Sequence, residues 1–157
     1  MTMTASALST QLQTISGATE EAAIAAWAVA WAAYFAGAVA GSGPGVAFTT
    51  NPTNIASARA AMAAQMTGLS ATGAGAGKIQ AGIIGWWDYL VAHPATFFSG
   101  AASITKPANL TSIAAALPTV FDNNKATSAS AAVACLAVAT SIHGNNTGGS
   151  SDLGSIT

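Results

Sequence analysis

Large apolar residues recur early in the chain at the three- and four-residue spacing that places side chains on one face of an α-helix. This stripe consists of Ile24, Trp27, Trp31, Tyr34, Phe35 and Ala38. Thr19 precedes the stripe and can cap the helix, while Glu20 and Glu21 suit the positive N-terminal end of a helix dipole. The segment "GSGPG" from Gly41 then ends the helix.

A second stripe begins near Gly77 and ends before Pro94, because the residue that precedes a proline is disfavoured in the α region. It consists of Ile79, Ile83, Trp86, Tyr89 and Leu90. With the weaker patterns elsewhere, the stripes predict an all-α helical bundle with short strands left open at 46–50 and 101–105. Six helical segments are expected, at about residues 5–16, 20–40, 54–68, 76–93, 109–123 and 128–143.

The two stripes belong to a longer internal repeat. Without any gap, residues 22–62 match residues 77–117 with 13 identities in 41 positions, and eight of these are not alanine. The eight are Ile24/Ile79, Trp31/Trp86, Tyr34/Tyr89, Gly45/Gly100, Thr50/Thr105, Pro52/Pro107, Asn54/Asn109 and Ser57/Ser112. We therefore predict a tandem duplication of a helical hairpin with a 55-residue repeat, with units at about 20–72 and 75–127.

The most similar parts of the repeat are "NPTNIASARAAM" and "KPANLTSIAAAL". In each, a proline (Pro52 or Pro107) is followed two residues later by an asparagine, Asn54 or Asn109. An asparagine can accept a hydrogen bond from a free N–H of the first helical turn, so both asparagines are predicted to be N-caps. This interpretation explains the repetition by helix initiation and requires no binding site.

A single domain is expected for 157 residues, and we place it at residues 1–143. The remaining segment, 144–157, reads "GNNTGGSSDLGSIT". Its content of Gly, Ser and Asn predicts a flexible C-terminal tail that becomes ordered on a neighbouring molecule.

Charge is scarce throughout the chain. Charged residues make up 6% of the sequence and hydrophobic residues 52%, and the net charge is -1. The surface of a soluble monomer usually carries roughly 25–35% charged residues. The surface must therefore consist of Ala, Thr, Ser, Gly and Asn, or much of it must be hidden between subunits. The net charge gives no electrostatic basis for binding nucleic acid, and none is expected.

Residues that carry catalysis or bind metals are few and scattered. Cys135 is the single cysteine, so no internal disulfide and no multi-cysteine metal site is expected. Asp88 and His93 lie near a helix end, but no Ser, Cys or second carboxylate completes a triad with them. His143 closes the last helix, where it suits the dipole. The prediction is a protein that is not an enzyme, with no catalytic, cofactor or metal site; a small enzyme that uses Asp88 and His93 is the alternative.

Two other motifs have structural interpretations. The aromatic residues Trp27, Trp31, Tyr34, Trp86, Trp87 and Tyr89 lie at helical spacing and are expected in the core or at a subunit interface. The segment "GLSATGAGAGKIQAG" faintly resembles a phosphate-binding loop, with three glycines before Lys78. However, Ile79 occupies the position that needs a hydroxyl, so we interpret this segment as a flexible connection between helices.

Residues 22–40 contain no charge and are long enough to span a bilayer. The equivalent part of the second repeat carries Lys78, Asp88, His93 and Pro94, which are poorly suited to lipid. Because two copies of one unit should share an environment, no membrane span is expected. A lipid- or membrane-associated helical protein is the second alternative.

In composition, and in the segments "WAAYFAGA", "WWDYLVA" and "IHGNNTGG", the chain resembles the small virion proteins of tailed bacteriophages, especially those of the neck, tail and baseplate. Such proteins are often rich in Ala, Thr and Gly, poor in charge and free of catalytic motifs. The resemblance implies a non-enzymatic structural subunit of the virion, assembled in the host cytoplasm. Its expected partners are copies of itself, in a ring or layer, and other virion proteins.

Overall fold

Within residues 3–157, which the computed structural model describes, most of the chain is helical. The helices are α1 (Ala5–Leu12), α2 (Glu20–Phe35), α3 (Pro52–Met66), α4 (Gly75–Ala92), α5 (Pro94–Phe97), a 3-10 helix (Ala108–Ser112), α6 (Ile113–Ala126) and α7 (Ala131–Asn146). The strands, each of two residues, are β1 (Val39–Ala40), β2 (Val46–Ala47), β3 (Ile104–Thr105), β4 (Ser150–Ser151) and β5 (Gly154–Ser155). The fold is therefore mostly helical rather than all-α.

The six long helices pack in a closed order around one core. α1 packs against α2, α2 against α3, α3 against α4, α4 against α6, α6 against α7, and α7 against α1. The largest buried side chains are aromatic, and Phe35 lies at their centre. Its ring centroid is 5.6 Å from that of Trp86 and 5.1 Å from that of Trp87. Large apolar side chains from α2 and α4 thus supply the middle of the bundle.

The closest approach between helices joins α3 and α4. A Cβ placed on Gly82 would lie 2.5 Å from Cγ of Met66, and one placed on Gly85 would lie 3.0 Å from the carbonyl oxygen of Ala61. Atoms at those distances would overlap, so the two glycines allow α4 to lie directly on α3.

The predicted helix starts are partly correct. Thr19 caps α2 as predicted, because its hydroxyl accepts a hydrogen bond from Ala22 N at 3.2 Å. The prediction for Asn54 is wrong. Asn51 caps α3 through Oδ1, and Pro52 occupies the first turn. Asn109 is also not an N-cap, since it lies inside the 3-10 helix that precedes α6. Proline suits the first turn because its missing N–H needs no partner there.

The C-terminal segment differs from the expected flexible tail. α7 continues to Asn146, and β4 and β5 then form a hairpin that extends β3 into a three-stranded antiparallel sheet. Val39 and Thr157 exchange two backbone hydrogen bonds of 2.9 Å, and Ile156 is buried in the core. The segment is therefore held by its own chain, because distant backbone groups satisfy its hydrogen bonds.

Asp152 anchors the same hairpin. Its Oδ1 accepts hydrogen bonds from the backbone N–H groups of Ala102 and Ser103, both at 2.9 Å. These hydrogen bonds, with Ser103 contributing most, lower the pKa of the Asp152 carboxyl below its ordinary value. An ionised Asp152 thus fixes the turn of the hairpin to the loop before β3.

Candidate functional site

Asp88 and His93 take part in separate interactions. They are the two residues that the alternative prediction of a small enzyme would use. Asp88 Oδ1 forms an ion pair of 2.5 Å with Nζ of Lys106, and both side chains are about half exposed. His93 ends α4, its Nδ1 lies 2.9 Å from the carbonyl oxygen of Tyr89, and its ring stacks on that of Tyr89. In the described part of the chain no hydrogen bond joins Asp88 to His93. The geometry therefore gives no support to an acid–base pair.

The glycine-rich connection before α4 holds a carboxylate of its own chain. Oε1 of Glu20 accepts a hydrogen bond of 2.8 Å from Gly68 N, and Oε2 accepts one of 3.0 Å from Ser70 N. The Ser70 hydroxyl also donates to Oε2. The hydrogen bond from this hydroxyl, followed by those from the two amides, lowers the pKa of Glu20. The amides of Gly68 and Ser70 are thus already paired, and a helix precedes this connection instead of a strand.

The aromatic residues lie mainly in the core. Trp31, Trp86 and Trp87 are fully buried, which confirms the predicted burial of the first two. Tyr34 is also buried, at 2% exposure. These rings pack against one another and present no open face on which a ligand ring could stack.

One polar network penetrates this core and joins three distant parts of the chain. Nε1 of Trp87 donates a hydrogen bond of 2.7 Å to Oδ1 of Asn146. Nδ2 of Asn146 lies 3.4 Å from the hydroxyl of Tyr34, and that hydroxyl lies 2.7 Å from Nδ1 of His143. Asn146 is 1% exposed, so the network connects the buried indole to the half-buried imidazole.

Hydrogen-bond chemistry gives this network one direction. An indole N–H can only donate, so Oδ1 of Asn146 must face Trp87 and Nδ2 must face Tyr34. The Tyr34 hydroxyl then accepts from Asn146 and has its own proton to donate to Nδ1 of His143. When Tyr34 donates this proton, Nδ1 of His143 accepts it and carries no proton itself, and His143 is then neutral with its proton on Nε2.

The burial of Tyr34 and His143 also favours the neutral form of both side chains. Burial raises the pKa of Tyr34 to about 12. The hydrogen bond from Asn146 has the smaller, opposite effect of lowering this pKa. Burial lowers the pKa of His143 below its ordinary value of 6.5. Removing a charged group from water is unfavourable, so at neutral pH both side chains are uncharged.

The network opens onto a cavity of about 430 Å³, which we call the polar cavity. Side chains or backbone of ten residues line it: Met3, Tyr34, His143, Asn146, Thr147, Gly148, Gly149, Ser155, Ile156 and Thr157. The cavity lies where the end of α7 meets the C-terminal hairpin, and Tyr34 of α2 forms its inner wall. This site was not predicted from the sequence, because His143 was assigned to a helix dipole and Asn146 to a flexible tail. The feature of the sequence that could have indicated the site is Tyr34, which places a hydroxyl within a stripe of apolar residues.

A second cavity, which we call the apolar groove, has a volume of about 400 Å³ between α1, α2, α6 and α7. It is lined by Leu12, Ile15, Trp27, Phe121, Asn124, Ala134, Cys135 and Val138. Burial raises the pKa of the Cys135 thiol, so the thiol is in its protonated form at neutral pH. A protonated thiol is a poor nucleophile, which agrees with a packing role for Cys135.

Large apolar side chains also remain on the surface. They are Val29, Val91, Phe121, Val133 and Leu136. Val133 and Leu136 are 58% and 47% exposed and lie three residues apart on α7. Residues three apart are neighbours on a helix surface, so these two form one apolar patch, here called the α7 patch.

Within residues 3–157, no group of three or more His, Cys, Asp and Glu side chains is placed to hold a metal ion. No helix in this part of the chain is both long enough and apolar enough to cross a membrane. α2, at 16 residues, ends before the uncharged stretch does. Comparison with known proteins gave no matching family model, no matching curated protein and no matching solved structure.

Proposed function

We propose that this protein is a non-enzymatic structural subunit of a phage particle, in the neck, tail or baseplate, which acts by assembling with copies of itself. The observation that carries the proposal is the α7 patch, in which Val133 and Leu136 remain exposed on an uncharged helix surface. Removing apolar surface from water contributes a favourable free energy of about 25 cal/mol per Å². A second copy that covers the patch would supply that burial.

The character of α2 and α7 supports burial of both helices in an assembly. In both helices alanine or valine also occupies exposed positions outside the buried face, and α7 contains no Asp, Glu, Lys or Arg. A helix that is apolar on all sides is usually buried inside a larger structure. In a single copy, α2 exposes Val29 and α7 exposes Leu136. Contacts between copies would bury these exposed apolar side chains.

The charge content supports the same proposal. With 6% charged residues, the chain has few groups that keep a monomer soluble or repel an approaching copy. Obligate interfaces are more apolar than ordinary protein surface. Closed symmetric assembly is the common way to bury such surfaces without forming open aggregates. We infer a ring or layer in contact with other virion proteins.

We also infer that the subunit arose by tandem duplication of a helical hairpin. α2 moved by the 55-residue offset falls on the first sixteen residues of α4, and Trp31 and Trp86 are both fully buried. Gly45 and Gly100, which are matched by the offset, both have positive φ, at 55° and 84°. The second helices correspond less well, because a 3-10 helix replaces the start of α3 in the second unit.

The direct test is mass spectrometry of purified particles from the phage that carries this gene. We expect the chain among the particle proteins, in a copy number that is a multiple of the ring symmetry. Its absence from the particles would contradict the proposal. Sedimentation with phosphatidylcholine vesicles would then test the lipid-associated alternative, for which the α7 patch would be the membrane contact.

Native mass spectrometry of the purified protein tests self-assembly. Replacing Val133 and Leu136 together by serine should lower the mass of the assembled species while leaving the unfolding transition nearly unchanged, since both side chains are exposed. Val91→Ser, at a side chain that is 40% exposed on α4, is the matched control and should leave the mass unchanged. A purely monomeric wild-type protein that also fails to assemble with the other virion proteins would overturn the assembly mechanism.

A further inference from the structure

We propose that the polar cavity is a binding site for a small uncharged ligand with several hydroxyl groups, of the size of one sugar ring. The site lies at the end of α7 and is separate from the α7 patch. It therefore concerns an activity beyond assembly, and the two proposals can fail independently.

The side chains that line the cavity carry no full charge. None of the residues that line it is Asp, Glu, Lys or Arg, and its two titratable side chains, Tyr34 and His143, are neutral for the reasons given above. An anion would lose its hydration without gaining a positively charged side chain as a partner, which is strongly unfavourable. The available interactions are those that neutral hydroxyl and amide groups make.

The hydrogen-bonding groups around the cavity suit hydroxyls in particular. The network leaves Nε2–H of His143 as a donor, and no protein group in residues 3–157 accepts from it. Thr147 uses its hydroxyl proton on the Gly144 carbonyl oxygen at 2.9 Å, which leaves lone pairs free to accept. Ser155 and Thr157 add hydroxyls that can do both. A ligand whose groups also donate and accept matches this mixture of donors and acceptors.

The wall of the cavity is pre-formed, which reduces the entropy lost on binding. Gly149 lies directly against the indole of Trp87, since a Cβ on this glycine would be 2.6 Å from Cη2 of that ring. Gly148 has a φ of 93°, and no heavy atom lies within 4 Å of the position that its Cβ would take. The loop is thus packed on one side and open on the other. The cavity volume of about 430 Å³ lies in the range usual for small-molecule sites.

The test is a titration of the full chain with glucose, galactose and N-acetylglucosamine, followed by ¹H–¹⁵N NMR. The sugars should be added to about 50 mM, because a small neutral ligand in an open site binds in the millimolar range. We expect saturable shifts of the backbone amides of Gly148 and Gly149 and of the Asn146 side-chain amide with at least one sugar. No saturable shift at these groups with any of the three would overturn the proposal.

Two matched variants locate the binding site. Ser155 is an exposed residue that lines the cavity, and Ser155→Phe adds a ring there. The ring would occupy the volume of the ligand, so the affinity for the sugar should fall by at least about tenfold. Ser99→Phe makes the same change at an exposed serine outside the cavity and should bind as the wild type does. Equal binding by both folded variants would place the sugar elsewhere and contradict the site; if Ser155→Phe does not fold, the wild-type shift map decides.

Titration with sodium acetate and ammonium chloride tests the ligand class. Neither ion should shift the amides of Gly148 and Gly149 in a saturable manner. Saturable shifts with one of these ions, and none with the sugars, would show that the cavity selects charge and would overturn the proposed chemistry.

Discussion

The hydroxyl of Tyr34 lies 2.7 Å from Nδ1 of His143, although the two residues are 109 positions apart in the chain. This hydrogen bond ties the middle of the bundle to the end of α7. It also links Tyr34 to the protonation of His143, because Nδ1 can accept the hydroxyl proton only when it carries no proton itself. The stability of the end of α7 should therefore depend on the protonation of His143.

We expect the free energy of unfolding to fall as the pH is lowered below 6.5, the ordinary pKa of histidine. The pKa of His143 is lowered in the folded chain, so in this range the unfolded chain binds more protons than the folded chain. Above this range the full stability is present. Urea denaturation across the range measures the effect. His143→Gln, which cannot titrate, should remove this part of the pH dependence; identical profiles for the two proteins would contradict the assignment.

Glu20 and Asp152 act in a more acidic range. Hydrogen bonds lower the pKa of each carboxyl below its ordinary value, 4.5 for Glu20 and 3.8 for Asp152. Their contribution is present above those values and is lost as the pH falls through the folded-state pKa values. As the pH falls, the loss linked to His143 therefore begins at a higher pH than the loss linked to the two carboxyls.

Asn146→Ala should lower the free energy of unfolding by about 1–3 kcal/mol, the usual cost of leaving a buried polar group without a partner. The variant removes the acceptor for the buried Trp87 indole N–H. Chemical denaturation measures the loss. Asn145→Ala is the control, because Asn145 is only partly buried and bonds to its own helix at Ser141. Equal losses in the two variants would show that the network contributes no stability.

Trp31→Ala and Trp86→Ala should each lower the free energy of unfolding by about 3–5 kcal/mol, as expected for a fully buried tryptophan. The loss comes from the cavity that the missing ring leaves. No side-chain hydrogen bond is lost, because Nε1 of each ring is buried without a hydrogen-bond partner. Trp27→Ala is the comparison, because this ring is only half-buried at the edge of the apolar groove. Equilibrium denaturation should rank Trp27 lowest; a similar cost at all three would contradict the core assignment.

Gly82→Ala should destabilise the protein by about 1–3 kcal/mol, the usual cost of overpacking, because the new methyl group would overlap with the buried Met66 side chain. Gly77→Ala, in the same helix, should instead stabilise it by about 0.5–1 kcal/mol, since alanine is the better helix former. No heavy atom lies within 4 Å of a Cβ at Gly77. Thermal unfolding of the pair should give shifts of opposite sign, and shifts of the same sign would contradict close packing of α3 and α4.

Removal of residues 147–157 should weaken folding itself. The truncated chain loses Ile156 from the core and the backbone hydrogen bonds between Val39 and Thr157. Ile156→Ala isolates the first effect and should cost about 2–4 kcal/mol, within the usual range for a buried isoleucine. Thr157→Ala keeps the backbone and should cost little. A truncated chain that unfolds at the wild-type denaturant concentration would show that the segment acts as a free tail.

The helices could be predicted from the sequence because their signals are local. Apolar spacing located α2 and α4, and Thr19 and Pro94 marked a start and an end, since each acts on backbone within one helical turn. The start of α3 was misplaced by three residues because both Asn51 and Asn54 can cap, and local sequence does not choose between them. Burial of Trp31 and Trp86 followed from the same spacing.

The polar cavity and the C-terminal hairpin depend on contacts between residues that are far apart in sequence. Gly, Ser and Asn in segment 144–157 favour flexibility when considered locally, yet the backbone of Val39 and the side chain of Asp152 hold that segment in the fold. Likewise, the hydrogen-bond partners of Asn146 include Trp87 and Tyr34, which lie 59 and 112 positions away in the sequence. Local backbone preferences and apolar periodicity, which can be recognised in the sequence, place the helices. Which polar groups meet depends on the folded chain, because buried donors and acceptors find their partners across the core.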